Sequence, residues 1–422
     1  MKYLGIDIGT TTICGVILDE NKEVIKSITK DNTSEIKSDL EYERIQDPET
    51  TFTVAKKITD ELIDNFPDVL SIGVSGQMHG IVYCDRQGNA VSPLYYWQDK
   101  RALNIYENNK SYVDYLRDNG VHVSAGYGGA SHFYNVVNNL VPSSANTFCT
   151  IGDYIVMKLT DNTSPLVHSS QAASIGFYDL KSLCFDKKSI EAVSLKYDLF
   201  PDTCIDNQVV GSYRNIPVCV SLGDNQASFL GSKTPNEGIL INVGTGSQIS
   251  LVSSYTETEN GVELRPLNKH EYLLVGAAIC GGKSYAILKS FFEKCALLFN
   301  VEIKDMYSLM NSCVGEDKLV VDTKFLGTRI DPAVRGSITN IDDKNFTPEN
   351  LVKAFNKGMA NELYELYELM GTPKKSVLIG SGNGCRFNRN FVKEVENIFK
   401  MNLQLSDCKE EAASGAAIFT QE

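Results

Sequence analysis

The sequence predicts an α/β protein built from two domains, on three observations. Its 422 residues exceed what one core comfortably serves, so length favours two domains of roughly 200 residues each. Apolar runs of strand length alternate with helical patterns along the chain. A strand-turn-strand pattern, Ile6-Asp7-Ile8-Gly9-Thr10, returns 235 positions later as Ile241-Asn242-Val243-Gly244-Thr245, which points to a duplicated half.

Taken in order, residues 3–8 form an apolar run broken only by Gly5 and Asp7, and the alternating stretch after them ends in the polar turn DENKE. Together they predict a β-hairpin whose turn is Gly9-Thr10-Thr11-Thr12. VLSIGVSG (69–76) predicts a strand, DKRALNIYENN (99–109) a helix, and RNIPVCVSLGD (214–224) a strand ending at Gly223-Asp224. GILINVGTGSQISLVSS repeats the hairpin. In residues 346–371, Thr347 stands as an N-cap, Pro348 at the first helical position and Gly371 just past the end, the best-signalled helix in the chain. KKSVLIGSGNG (374–384) predicts a strand and a glycine-rich turn; a helix from about Asn390, a short strand in MNLQLS and a helix in EEAASGAAIF follow. No low-complexity linker separates the halves. Their join is expected near Asn215 to Leu222, giving domains 1–217 and 218–422.

Composition narrows the function. With 53 acidic against 40 basic side chains the net charge is −13, which repels nucleic acid and anionic membrane at long range. No nucleic-acid or membrane partner is expected, and an anionic ligand must be held locally by backbone N–H groups, a metal ion or a few side chains. No two of the eleven cysteines lie closer than fifteen positions, so zinc and redox motifs are excluded and free thiols in a reducing compartment are expected. The longest apolar stretch, YLLVGAAICGG, stops at Lys283, short of the ~20 residues of a membrane span. With no secretory h-region at the start, the cytoplasm is the default location.

Two glycine-rich stretches mislead. GAAICGGKS has Ala277 where a P-loop needs glycine, and VLIGSGNG lacks the third glycine of a dinucleotide fold. The paired hairpins carry more chemistry. Gly9 and Gly244 let backbone approach a phosphate, and Thr10, Thr11, Thr12, Thr245 and Ser247 add hydroxyls. Asp7, just before the first turn, can orient Mg²⁺, an ion that takes few carboxylates and several waters.

YLGIDIGTTT, GVSGQMHGIVYCDRQGNAVSPLYYWQDKR, SLGDNQASFLG, INVGTGSQ, FLGTRIDPAVRG and GSGNGCRFNRNFV occur in the order of the FGGY carbohydrate kinases, and the chain resembles that family over essentially its whole length. The resemblance implies two actin-like (RNase H-like) ATPase domains with an interdomain cleft, a sugar pocket in the first domain and most of the ATP site in the second. SGQMHG and WQDKR look like the sedoheptulokinase and xylulokinase branches, with sedoheptulose the first expectation as acceptor. By the same resemblance Asp224 is the general base and Asp7 the acidic residue at the metal and phosphates. Met78 and His79 contact the ketose, and Gln77, Trp97, Asp99 and Arg101 line that pocket. Gly244, Thr245, Gly246, Ser247, Gly281, Gly282, Gly380, Gly382 and Asn383 surround ATP. Expected partners are a small sugar and Mg-ATP, and a homodimer is left open.

Other readings stand beside these. Asp224 also suits the start of the helix that follows it, Trp97 suits a core, and Lys283 a solvated loop. An actin-like ATPase or a catalytically silent sugar sensor would share the fold. Gly327-Thr328-Arg329 replaces the family's G-E-R, and HSSQAAS lacks an aspartate usual in xylulokinases, which weakens D-xylulose as acceptor.

Overall fold

A computed structural model describes residues 1–254, 261–328, 331 and 333–421. The chain divides into two compact units: Met1–Gly231 with Arg265–His270 and Cys408–Glu422, and Ser232–Leu264 with Glu271–Asp407. The expected boundary at 217/218 falls inside a strand of the first unit, and that unit also draws in two later segments.

The first unit is organised by a seven-stranded sheet. Strands β1 (Lys2–Ile8) and β2 (Thr12–Leu18) form the expected hairpin, pairing from Tyr3–Leu18 to Ile8–Ile13. β3 (Val24–Asp31) continues antiparallel on β2. Helix α1 (Pro48–Asn65) is capped by Asp47, whose carboxylate accepts from the Thr50 backbone N–H at 3.1 Å. β4 (Val69–Gly76) then lies parallel to β1. Alternation sets the faces of β1: Leu4, Ile6 and Ile8 join a core with Ile58 and Leu62 of α1, while Gly5 and Asp7 face the other way. Helix α2 (Gly128–Val137) comes later, followed by β5 (Val209–Tyr213), β6 (Ile216–Cys219) and the two-residue β7 (Leu222–Gly223). β6 and β7 both pair parallel with β4, so the single strand expected over 214–224 is interrupted. Asp224 opens helix α3 (Asp224–Gly231).

The helix Glu411–Phe419 closes the outer face of β1 and β4. It lies at backbone contact: a Cβ on Gly5 would strike the Ala413 carbonyl, one on Gly73 the Ala416 carbonyl, and one on Gly231 the Glu411 carbonyl.

The second unit repeats the plan. β8 (Gly238–Val243) and β9 (Ser247–Ser253) form the second hairpin. β10 (Val262–Pro266) and β11 (Tyr272–Ala278) follow, with β11 antiparallel to β9. Helices α4 (Gly281–Leu298) and α5 (Pro348–Leu369) precede β12 (Val377–Ser381), which is parallel to β8. Thr347 caps α5 as expected, its side chain accepting from Asn350, and Gly371 lies past its end at φ +78°. Then come α6 (Gly382–Phe387), α7 (Arg389–Phe399) and β13 (Leu403–Leu405), parallel to β12. The strand order β6-β4-β1-β2-β3 of the first sheet therefore matches β13-β12-β8-β9-β11 of the second, strand for strand and direction for direction. The sequence echo is a fold-level duplication. Ile239, Ile241, Ile249, Leu251, Phe355 and Phe391 centre the second core.

A second element departs from expectation. Residues 99–109 hold only a 3₁₀ turn, Arg101–Leu103, because Asn104 turns extended at φ −61° and ψ 153°; Asn108 and Asn109, at φ of +52° and +59°, take a conformation no right-handed helix allows. None of the eleven cysteines forms a disulfide. Among the described residues no helix is long and apolar enough to cross a membrane.

Candidate active site

In the first unit the two candidate carboxylates stand at strand and helix ends. Asp7 leaves β1 on the face it shares with Cys14 and Ser75, its cross-strand neighbours. Its Oδ1 accepts from the Ser75 hydroxyl at 2.7 Å. Burial pushes its pKa from 3.8 up to about 7, against the lowering effect of the Ser75 bond; the nearby charges of Asp224 and Glu410 push it further up. A cavity of about 200 Å³ opens beside it, lined also by Cys14, Ser228, Lys409 and Glu410. Asp224 begins α3, so its helix-end reading and its place among the site residues hold together. The Asn225 side chain donates to its Oδ1 at 2.9 Å. Burial raises the Asp224 pKa, while the Asn225 hydrogen bond and the Arg265 charge oppose that rise.

Met78 lies between these groups: its Sδ is 3.8 Å from both Asn225 Nδ2 and Arg265 Nη1. His79 follows in the left-handed region at φ +76°, a conformation uncommon outside glycine. It is fixed there by the Ser174 hydroxyl, which accepts its backbone N–H at 3.0 Å, and by Nδ1 donating to the Ser174 carbonyl at 2.8 Å. Its ring stacks on Tyr127 with 4.4 Å between centroids. Trp97 is 45% exposed and is not a core residue. Its indole N–H donates to the Thr10 hydroxyl at 3.0 Å, and Thr10 donates onward to Gln77 Oε1 at 3.2 Å. The Gln77 amide donates to Gln46 Oε1 at 2.9 Å. Thr10 and Gln77 thus spend their polar atoms aiming the indole and the hairpin turn, and Thr11 and Thr12 beside them are exposed.

Asp99 and Arg101 correct the expectation that they line the sugar pocket. They are 1% and 2% exposed. Asp99 accepts from the backbone N–H groups of Arg44 and Arg101 and from Arg101 Nε and Nη2, at 2.7–3.1 Å. The guanidinium also donates to Asn135 and Glu43, at 2.8 and 3.0 Å, and lies 4.0 Å from the Tyr95 ring centroid. A guanidinium satisfied on every side braces the loop that carries Trp97.

In the second unit three backbone turns meet around the end of β8. Gly244 and Thr245 are exposed at the hairpin tip, and Gly244 has open space where a Cβ would be. The Thr245 carbonyl accepts from the Lys283 backbone at 2.8 Å. Cβ atoms on Gly281 and Gly282 would collide with Ser247 N and the Gly244 carbonyl, so the start of α4 fits only glycine there. Gly382, at φ +77°, brings the start of α6 against the Val243 carbonyl, and Asn383 is exposed beside it. Ser247 is 5% exposed, its hydroxyl without a hydrogen-bond partner among the described residues. A Cβ on Gly246 would lie 3.1 Å from the Ala278 carbonyl oxygen. Gly380 differs from the others, because Leu403 of β13 fills the space a side chain would need; it serves strand packing rather than a ligand. Lys283 is exposed but belongs to the first turn of α4 rather than to a loop. Arg329 of the GTR stretch lies outside the described residues.

Sequence reading missed Ser75, Tyr127, Asn225, Arg265 and Glu410. Ser75 and Asn225 lie inside VSGQMHG and LGDNQ and were legible from alternation and adjacency. Arg265, in the ordinary stretch ELRPLN, carries no local signal.

Twin sheets of matching strand order, each with a glycine-turned hairpin, define a two-domain actin-like fold. Solved structures share it: a xylulose kinase from Rhodospirillum rubrum matches with a TM-score of 0.86 at 21% identity, covering 100% of this chain and 89% of that one. A xyloylose kinase from Brucella ovis gives 0.86 at 16%, covering 100% and 90%. The N-terminal domain model of the FGGY family of carbohydrate kinases matches residues 2–231, more than half of the chain, and the protein belongs to that family. Among its relatives, a sedoheptulokinase of Mus musculus is 25% identical, over 98% of this chain and 96% of that protein. A xylulose kinase of Staphylococcus xylosus is 23% identical, over 99% and 90%. As a family member the protein is a phosphotransferase with an alcohol group as acceptor, and its substrates are ATP and a small-molecule sugar.

Proposed function

We propose that the protein phosphorylates a terminal hydroxyl of a ketose, with sedoheptulose the first choice, using Asp224 as general base and Asp7 at the metal and phosphates. The observation that carries this reading is the placement of Asp224: a carboxylate opening α3, oriented by Asn225 at 2.9 Å, in one cluster with Met78 and Arg265. Phosphoryl transfer asks for alignment, charge neutralisation and one group that orients and deprotonates the nucleophile. In this reading Asp224 accepts the hydroxyl proton, which requires its carboxylate form; Asn225 and Arg265 support that form against burial. Met78, His79 and Trp97 hold the sugar, and Asp99 and Arg101 act behind Trp97.

ATP is assigned to the second unit, on the turns at Gly244 to Ser247, Gly281 and Gly282, and Gly382 and Asn383. Mg²⁺ suits Asp7, where burial and two neighbouring carboxylates disfavour negative charge and a cation would restore it. Among the described residues no group of three or more His, Cys, Asp or Glu side chains could hold a metal, so the ion would bind Asp7 together with phosphate oxygens and water. Once bound, it would neutralise charge on the transferring phosphoryl group.

Relatedness to the mouse sedoheptulokinase over nearly full length favours the seven-carbon ketose, and so does HSSQAAS. D-xylulose is the second reading, favoured by the staphylococcal relative. A coupled ADP-release assay with Mg-ATP and sedoheptulose, D-xylulose, D-ribulose, L-ribulose, L-rhamnulose, L-fuculose, glycerol or no sugar separates the readings. Sedoheptulose should give the highest kcat/KM, and a clear preference for another sugar discards it. Asp224→Asn should lower kcat by roughly 10²–10⁴; turnover within a few-fold of wild type removes Asp224 as base.

A further inference from the structure

Given the sugar at Trp97 and the phosphates at the hairpin turn after Asp7, as proposed above, we infer that Gln46 is a positioning residue. It ties the indole that walls the sugar to the turn that meets the phosphates. Gln46 is 1% exposed and ends the short strand Ile45–Gln46, which pairs antiparallel with Leu94–Tyr95, the strand that leads into Trp97. Its main chain therefore stands on the sugar side of the first unit. Its side chain reaches the hairpin, where the amide donates to the Thr10 carbonyl at 2.9 Å.

Three hydrogen bonds close a ring, and a fourth hangs the indole on it. The Thr10 hydroxyl donates to Gln77 Oε1 at 3.2 Å, the Gln77 amide to Gln46 Oε1 at 2.9 Å, and the Gln46 amide returns to the carbonyl of Thr10; the indole N–H of Trp97 donates to Thr10 Oγ at 3.0 Å. The direction of the ring is forced. An indole nitrogen only donates and a backbone carbonyl only accepts, so turning either glutamine amide over would set two acceptors against each other. Hydrogen bonds that run one way strengthen one another. Thr10 is consequently held at both its hydroxyl and its carbonyl. Because C=O and the N–H that follows it point oppositely across a trans peptide, drawing the Thr10 carbonyl toward Gln46 turns the Thr11 N–H away from it. Asn32 treats the flanking carbonyls likewise, its side-chain amide donating to Gly9 at 2.9 Å and its backbone N–H to Thr11 at 2.8 Å. Three successive carbonyls, each of which would repel a phosphate, thus face protein donors, and Gln46 holds the one whose residue also holds Trp97. An aliphatic side chain of the same length would fill its place and order neither partner.

The test uses Gln46→Met, which keeps the length and removes both bonds, Gln46→Glu, which still accepts from Gln77 but cannot donate to Thr10, and Thr10→Val; a thermal melt first shows each to be folded. Trp97 is the sole tryptophan, so time-resolved fluorescence anisotropy reads the indole directly. Calorimetry gives the affinity for whichever sugar of the assay panel the wild type turns over fastest, and the KM for Mg-ATP reports the phosphate side. Each Gln46 variant should free the indole to reorient on the nanosecond scale, weaken sugar binding about fivefold or more and raise the KM for Mg-ATP by a similar factor. Combined with Thr10→Val, Gln46→Met should lose less than the product of the two single effects, since both break one ring. Wild-type anisotropy and affinities in a folded Gln46→Met, a change on the sugar or the nucleotide side only, or single effects that multiply in the double variant overturn the inference. If Gln46→Met does not fold, Gln46→Glu decides by the same anisotropy and affinities. A wild-type indole whose emission no sugar of the panel perturbs removes the sugar from Trp97 and the inference with it, whereas a responsive wild type with unchanged variants rejects Gln46 alone.

Discussion

Replacing Asp7 by asparagine should make the protein more stable and less active, and the gain in stability should depend on pH. The substitution preserves shape, and the asparagine carbonyl can still accept from Ser75, so charge is the main thing removed. The folded chain holds the Asp7 proton up to about pH 7, whereas an ordinary aspartate releases it near 3.8. Between about pH 4 and pH 7 the unfolded chain has therefore lost a proton that the folded one keeps. Stability falls as pH rises through that window and levels off above it. At 1.36 kcal/mol per pH unit, the ionised carboxylate costs the fold on the order of 4 kcal/mol at pH 8 and about 2 kcal/mol at pH 5. Asp7→Asn should recover most of this, with a gain roughly 2–3 kcal/mol larger at pH 8 than at pH 5. The sole tryptophan, Trp97, lies in the same unit, so urea unfolding followed by its fluorescence, with EDTA present, measures the effect. A gain equal at both pH values, or a loss at pH 8, would refute the electrostatic account. With Mg-ATP and sugar, the same variant should lose at least about 10²-fold in kcat, as loss of a charged group at the phosphates demands.

Two further predictions separate folding from binding. Gly244→Ala should leave the melting temperature unchanged, since its Cβ meets nothing within 4 Å, yet raise the KM for ATP; Gly380→Ala should cost about 1–3 kcal/mol of stability by overpacking against Leu403 with the ATP KM unchanged. Reversal of that pattern in melts and kinetics would move the nucleotide contact from the hairpin to β12. Asp99→Asn should destabilise the first unit by about 3–5 kcal/mol by leaving the Arg101 guanidinium buried with its main partner uncharged, read as a lower urea midpoint; a change in sugar KM without loss of stability would return Asp99 to the pocket.

The sequence made the duplicated hairpins legible because both signals are local: alternation names the strands, and glycine with threonine names the turns. Helix α5 was legible for the same reason, with cap, proline and terminal glycine all within its own span. The helix expected at 99–109 failed because spacing cannot reveal that Asn104 turns extended and that Asn108 and Asn109 are left-handed. It also cannot show that Arg101 turns inward to a buried carboxylate. Asp99 and Arg101 read as ligand groups because charged residues beside a tryptophan look exposed; their burial is a tertiary fact. Arg265 was invisible because its place beside Met78 is a contact between residues far apart in sequence. Gly380 looked like its neighbours Gly382 and Gly384, and only the approach of Leu403 distinguishes it.

The helix at residues 411–419 sets an order of events for the chain as it is made. β1 and β4 emerge early, with Gly5 and Gly73 leaving a bare strip that only that helix fits at backbone distance. Until residue 419 has been synthesised, the face of β1 and β4 that carries Gly5 and Gly73 lacks this cover. Until then the nascent chain carries an incomplete first unit, exposed to chaperones and proteases. Arrival of that helix covers the sheet face on which Gly5 and Gly73 leave room for its backbone.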